Sequence, residues 1–137
     1  YMMDTGLLIS LAYKDRPYLE NELYKSILLD KLHVNEGMII ENVVAQCLRA
    51  NGHKAFFYKK VNKETKKTEM EIDFLIRKNS KVIPIEVKSG GHKSISSIKK
   101  LRATYEKRIG NGIILHHGEI KQEENSLWLP YYMAPVI

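Results

Sequence analysis

The feature that most constrains this chain is a change of hydrophobic period near residue 52. Over Glu36–Ala50, Ile40, Val43, Val44, Cys47 and Leu48 recur at helical spacing, and Asn51-Gly52 supplies the stop. From residue 55 onward the period becomes two. Residues 55–61 are rich in aromatic and extended-chain types, 62–68 form a polar loop, and 69–78 alternate cleanly. That alternation puts Met70, Ile72, Phe74 and Ile76 on one face and Glu71, Asp73, Leu75 and Arg77 on the other. After the turn at Asn79-Ser80, residues 81–89 give a third strand, with Ile83, Ile85 and Val87 facing one way and Val82, Pro84, Glu86 and Lys88 the other. A helix followed by a run of strands must bury its stripe on the sheet they form, which predicts an α/β fold.

The rest of the chain fits that frame. Ser89-Gly90-Gly91 ends the third strand, and Ser94 can cap a helix whose stripe is Ile95, Ile98, Leu101, Tyr105 and Ile109. Gly110-Asn111-Gly112 ends that helix, and residues 113–116 read as a short buried strand. A strand, helix, strand crossover of this length predicts a parallel return. Residues 127–133 read as a final edge strand, because Pro130 argues against a central place. Ahead of all this, Leu19, Leu23, Ile27, Leu28 and Leu32 predict an amphipathic helix over 17–33. The division expected is one domain over 1–137, with a leading helical segment at 1–35 and the core at 36–137. The opening Tyr1-Met2-Met3-Asp4-Thr5-Gly6-Leu7-Leu8 enters an apolar run without cap or leader and reads as part of a longer protein.

Composition bounds the partners. A chain of 137 residues can fold on one core without disulfides or a structural metal. No apolar run approaches the roughly 20 residues that cross a bilayer, so no membrane partner is expected. The single cysteine, Cys47, can make neither an intramolecular bridge nor a zinc cluster; it reads as a small buried residue in a reducing, cytoplasmic setting. Lys and Arg outnumber Asp and Glu by 22 to 16, and the pI is about 9.3. That balance favours polyanionic partners through counterion release, although the densest basic stretch, 59–67, reads equally as a solvated hairpin loop. His92, His116 and His117 lack zinc-site spacing and read as structural or surface residues. Tyr58, Tyr105, Tyr131 and Tyr132 could stack on bases but read first as packing.

The chemistry concentrates where the second and third strands meet. If Lys78 faces Lys81 across the turn, counting outward sets Asp73 opposite Glu86 and Glu71 opposite Lys88. Directly opposed residues share a face about 4.5–5.5 Å apart, so two carboxylates are forced together. Glu41 falls at the edge of its helix's apolar stripe, aimed along the rim of the core, whereas Asn42 lies round towards the polar side. Like charges opposed across a ladder destabilise it, and a hard divalent cation would compensate, since Mg²⁺ takes one or two carboxylates and keeps waters. Lys88, on the same side, could orient or help deprotonate a metal-bound water, which is the equipment for hydrolysing a phosphodiester. The bland alternative is a cross-strand charge network in which Lys88 neutralises Glu71 or Glu86.

The order Glu41, then Glu71-Ile72-Asp73-Phe74, then Ile85-Glu86-Val87-Lys88-Ser89-Gly90, resembles the PD-(D/E)XK nuclease superfamily, whose core runs α-β-β-β-α-β. Together with Asp4-Thr5-Gly6-Leu7-Leu8 and residues 37–42, these motifs look like the C-terminal domain of uncharacterised bacterial and archaeal AAA-type ATPases. The resemblance implies a restriction-endonuclease-like fold, a mixed sheet flanked by helices, with Asp73 and Glu86 as ligands of Mg²⁺ or Mn²⁺ and the Val87 carbonyl as a further ligand. It implies Lys88 as the catalytic lysine and Glu41 as an outer or second-metal carboxylate. The Pro-Asp pair of the superfamily name is replaced here by Ile72-Asp73. The function implied is a metal-dependent nuclease acting on DNA; the alternative is a non-catalytic nuclease-fold module that binds nucleic acid or a protein partner. The ATPase region of the parent chain would be a partner and could drive oligomer assembly, but no Gly-x-x-x-x-Gly-Lys-Ser/Thr occurs in these 137 residues.

Overall fold

The computed structural model describes residues 1–13, 36–90 and 95–137. The helix expected over 17–33, the Ser94 cap and His92 lie outside the described residues. Among the described residues there are three α-helices, α1 (Thr5–Tyr13), α2 (Glu36–Ala50) and α3 (Ser96–Tyr105). The strands are β1 (Phe56–Val61), β2 (Thr68–Lys78), β3 (Lys81–Lys88), β4 (Gly112–His116), β5 (Lys121–Glu123) and β6 (Ser126–Pro130), and a 3₁₀ turn follows over Tyr131–Val136. They form one six-stranded mixed sheet in the order β1-β2-β3-β4-β6-β5. The first three strands are antiparallel, whereas β4 runs parallel to β3, as the crossover length predicts, and β6 runs parallel to β4. Among the described residues no helix is long and apolar enough to cross a membrane.

Helices cover both faces of the sheet, which divides the core in two. On one face Val44 and Leu48 of α2 pack with Phe74, Ile76, Ile85, Val87, Leu115 and Leu129. On the other, Ile98 and Leu101 of α3 pack with Met70, Ile72, Ile114 and Trp128. The four residues expected on one face of β2 are therefore split between two cores. The cause is an extra residue in β2: Phe56 pairs with Leu75 but Tyr58 with Ile72, so three steps along β2 oppose two along β1. A bulge of this kind reverses the facing of every side chain beyond it. Its position, at Asp73 and Phe74, is where the acidic motif lies.

Three more expectations need correction. The polar side of α2 is covered, not solvated: Asn42 is 1% exposed, accepting from the Met2 backbone N–H at 2.7 Å and donating to Thr5 Oγ1 at 3.1 Å, whereas Val43, assigned to the apolar stripe, is 43% exposed. The segment before α1 and α1 itself supply that cover. Helix α3 ends at Tyr105, which is exposed, and Ile109 enters the core from beyond the helix through a bridge to Val82. The final strand is interior, not an edge. A short polar strand, β5, hairpins onto β6 and takes the edge, and its pairing stops at Trp128. Pro130 lies past that stop, so its missing N–H breaks no bond to β5, and the chain then turns into the 3₁₀ segment.

Candidate functional site

The β2–β3 register is the one expected from the turn. Lys78 pairs with Lys81, and pairing continues to Phe74 and Ile85. Asn79 takes φ 56°, a conformation asparagine tolerates better than most residues. One step further the ladder opens. Glu86, Val87 and Lys88 go on pairing with β4, while β2 turns towards β1. At this fork the Asp73 side chain replaces the missing ladder bond, its Oδ2 accepting the Val87 backbone N–H at 2.7 Å. The bulge in β2 is what frees Asp73 to reach between the strands.

Glu86 is 3% exposed. Its Oε2 accepts a hydrogen bond from Lys88 Nζ, whereas Oε1 is buried without a partner. Desolvation raises its pKa; Lys88 offsets part of this, while the charges of Asp73 and Glu71 add to it. Burial likewise pushes up the Asp73 carboxyl, against the Val87 N–H and the Lys88 charge. Glu41 is half-buried on α2 and raised by desolvation and then by the charge of Asp73. Asp73 thus lies within electrostatic reach of Glu86, Glu41 and Lys88, and the expected approach of Asp73 to Glu86 holds as a charge coupling only, since the β2–β3 ladder pairing ends one step earlier, at Phe74 and Ile85. The expected opposition of Glu71 to Lys88 does not hold: Glu71 Oε2 pairs with Lys59 Nζ on β1 at 3.0 Å, because β2 has already left β3 there. Val87 sits between its two polar neighbours in the chain, 8% exposed.

Two residues, Tyr1 and Tyr131, join the site without having been expected there, and Glu71, expected opposite Lys88, contributes in a different way. The Tyr1 hydroxyl donates to Glu41 Oε2 at 3.3 Å, and its ring lies 5.0 Å from that of Phe74. Glu71 adds negative charge felt by Glu41, Asp73 and Glu86. Tyr131, at the start of the 3₁₀ segment, donates its hydroxyl to the Lys88 carbonyl and so fixes the end of β3. Glu71 was visible in the alternating run, but nothing local marks Tyr1 or Tyr131. His116 is structural, as expected: its ring nitrogens meet the Gly118 N–H and the Glu119 carbonyl, both at 3.1 Å.

The family described as Domain of unknown function (DUF4143) matches residues 36–133. The chain belongs to that family. No curated protein matches it in sequence. The DUF4143 span holds Glu41, Glu71, Asp73, Glu86, Lys88 and Tyr131, and leaves out Tyr1.

A cation would suit this DUF4143 site on two counts. Glu86 Oε1 is an orphaned acceptor, and the buried carboxylates repel one another with Lys88 as the nearby counter-charge. Among the described residues no three His, Cys, Asp or Glu side chains close into a metal cage as they stand. A Mg²⁺-type ion does not require one, since it binds through one or two carboxylates and completes its shell with water.

Proposed function

We propose that this domain is a metal-dependent nuclease of the restriction-endonuclease-like fold, acting on DNA in the cytoplasm as the C-terminal part of an AAA-type ATPase. The observation that carries the reading is the fork between β2 and β3. There two desolvated carboxylates from neighbouring strands, Asp73 and Glu86, lie within reach of each other and of Lys88, and one carboxylate oxygen has no partner. Such an arrangement is costly for a fold to keep, because an unpaired buried acceptor costs about 1–3 kcal/mol and more when charged. Clustering of perturbed titratable groups is a mark of functional sites.

Asp73 and Glu86 would hold a Mg²⁺ or Mn²⁺ ion, with the Val87 carbonyl as a further ligand and Glu41 as an outer carboxylate. The ion would supply positive charge for the phosphate oxygens and an acidified water. The Val87 N–H holds Asp73 through one carboxylate oxygen, Oδ2, and the second oxygen would be the one offered to a cation. Lys88 holds Glu86; were a cation to take over that carboxylate, the Lys88 ammonium would be placed to orient a water or to neutralise charge on a scissile phosphate. Tyr131, through the Lys88 carbonyl, keeps that ammonium's backbone in place.

The direct Lys88 contact to Glu86 favours a second reading, a non-catalytic module in which the ion pair holds the fold and the surface binds nucleic acid or a protein. Incubating the domain with plasmid and single-stranded DNA in Mg²⁺ or Mn²⁺ separates the two. The nuclease reading expects cleavage by the wild type and none by Asp73→Ala or Lys88→Ala. DNA left equally intact by all of them leaves the binding module.

A further inference from the structure

The site just described has an electrostatic problem. Glu41, Glu71, Asp73 and Glu86 outweigh Lys88, so even with one divalent ion these groups stay net negative and do not by themselves attract a polyanion. Surface charge acts over a Debye length of about 8 Å at physiological ionic strength, so cations set farther than that from the carboxylates can hold a nucleic acid without being cancelled by them. Among the described residues the β1–β2 hairpin offers such cations. Lys59 is tied to Glu71 at 3.0 Å, and from there the β1–β2 hairpin carries Lys60, Lys63, Lys66 and Lys67 outward.

Lys59 and Lys60 are matched by Glu71 and Glu69, but none of the described ion pairs engages Lys63, Lys66 or Lys67. The turn that presents them is built, not slack. Asn62 Oδ1 accepts the N–H groups of Glu64 at 3.0 Å and Thr65 at 2.9 Å, and the Asn62 N–H donates to the Lys67 carbonyl at 2.9 Å. Asn62 Nδ2 also reaches Glu69 Oε1 at 2.8 Å, tying the turn to β2. Lys66 takes φ 56°, a strained choice for a lysine. A fixed turn loses less entropy on binding than a mobile loop would.

We infer that the Lys63, Lys66 and Lys67 tip of the β1–β2 hairpin grips the phosphate backbone of duplex DNA on one side of the Asp73–Glu86 site. Six residue steps along the chain separate Lys67 from Asp73, about 20 Å at strand rise, or roughly six base pairs of duplex. A duplex stays straight over that distance, its persistence length being about 50 nm, so one rigid ligand meets both places. A single strand would have to be held extended.

This rests on the nuclease reading, and the test separates the two. Anisotropy of a labelled duplex is measured in Ca²⁺ across a salt series for the wild type and two triple variants. One is Lys63→Gln, Lys66→Gln, Lys67→Gln; the other is Lys78→Gln, Lys81→Gln, Lys107→Gln, which removes equal charge at the opposite end of the sheet. Each lost phosphate contact lowers the slope of log affinity against log salt by about 0.9. The hairpin variant should therefore lose about 2–3 from the slope and on the order of 100-fold in affinity at physiological salt, with the control little changed. Thermal melts of both variants should match the wild type. Equal losses in the two variants reduce the effect to net charge and overturn the hairpin assignment, leaving the cleavage result untouched. An equal loss for single-stranded DNA overturns the duplex assignment. A wild type that binds no duplex overturns the assignment outright, and cleavage then decides the nuclease reading independently.

Discussion

Replacing Glu86 by Gln in metal-free protein should raise its stability, against the usual rule that changing a buried charged partner is harmful. The side chain is 3% exposed, and one of its oxygens is bonded to Lys88 while the other is orphaned. Glutamine keeps an acceptor for Lys88. It replaces the orphaned oxygen with an amide that can donate towards the neighbouring carboxylates, and it removes repulsion with Asp73 and Glu71. The gain is the relief of an unsatisfied charged acceptor, about 1–3 kcal/mol, and the loss is the charge-assisted part of the Lys88 bond, about 1 kcal/mol. The net is a gain of up to about 2 kcal/mol. For 137 residues the unfolding entropy is about 0.3 kcal/mol per kelvin, so Tm should rise by up to about 7 °C in EDTA. Mn²⁺ at 100 times its Kd adds about 2.7 kcal/mol to a protein that binds it, so the wild type should then overtake the variant. Differential scanning calorimetry with and without Mn²⁺ reads both. A variant that melts lower in EDTA, with Mn²⁺ shifting both proteins equally, would mean that Glu86 serves the fold as partner of Lys88, and the argument would be refuted.

The raised carboxyl pKa values of Glu86, Asp73 and Glu41 carry a sign. Each group binds its proton more readily folded than unfolded, so its contribution is complete below the ordinary carboxylate range, near pH 4, and is lost as pH climbs through the raised folded value. Metal-free stability should fall over that window by urea titration, less steeply in Glu86→Gln, while Mn²⁺ affinity rises with pH. Asn42→Ala removes the acceptor of the Met2 N–H and a donor to Thr5, and should cost about 1–3 kcal/mol, with faster hydrogen exchange confined to the N-terminal segment and α2. Gly118→Ala would place a Cβ 2.5 Å from His116 Cε1. That ring is buried and bonded on both nitrogens, so the substitution should cost about 1–3 kcal/mol in urea unfolding, without changing Mn²⁺ affinity.

What the sequence made legible follows from local physics. A two-residue turn at Asn79-Ser80 sets its own register, so the pairing from Lys78–Lys81 to Phe74–Ile85 could be counted from the turn, and the departure comes at the next step, at Asp73 and Glu86. The apolar stripe of α2 and the parallel return of β4 came from period and crossover length. The failures lie where distant segments decide. The bulge in β2 is silent in the alternation because both faces of the strand are covered, so Ile72 and Phe74 look equivalent although they enter different cores. Asn42 reads as polar surface until the N-terminal segment is laid over it. Strand β5 is polar and short, and exists only through pairing with β6. Tyr1 reaches Glu41 across 40 positions, and Tyr131 reaches Lys88 across 43, so no local pattern could announce either.

The nuclease reading stands on a divalent cation held at the β2–β3 fork. Anomalous diffraction from crystals soaked in Mn²⁺ would locate such an ion. The prediction is one peak about 2.0–2.3 Å from a carboxylate oxygen of Asp73 and from Glu86, with Lys88 Nζ moved off Glu86 and waters completing the shell. A fork without a peak, with Lys88 still bonded to Glu86 and manganese bound only elsewhere, would contradict it.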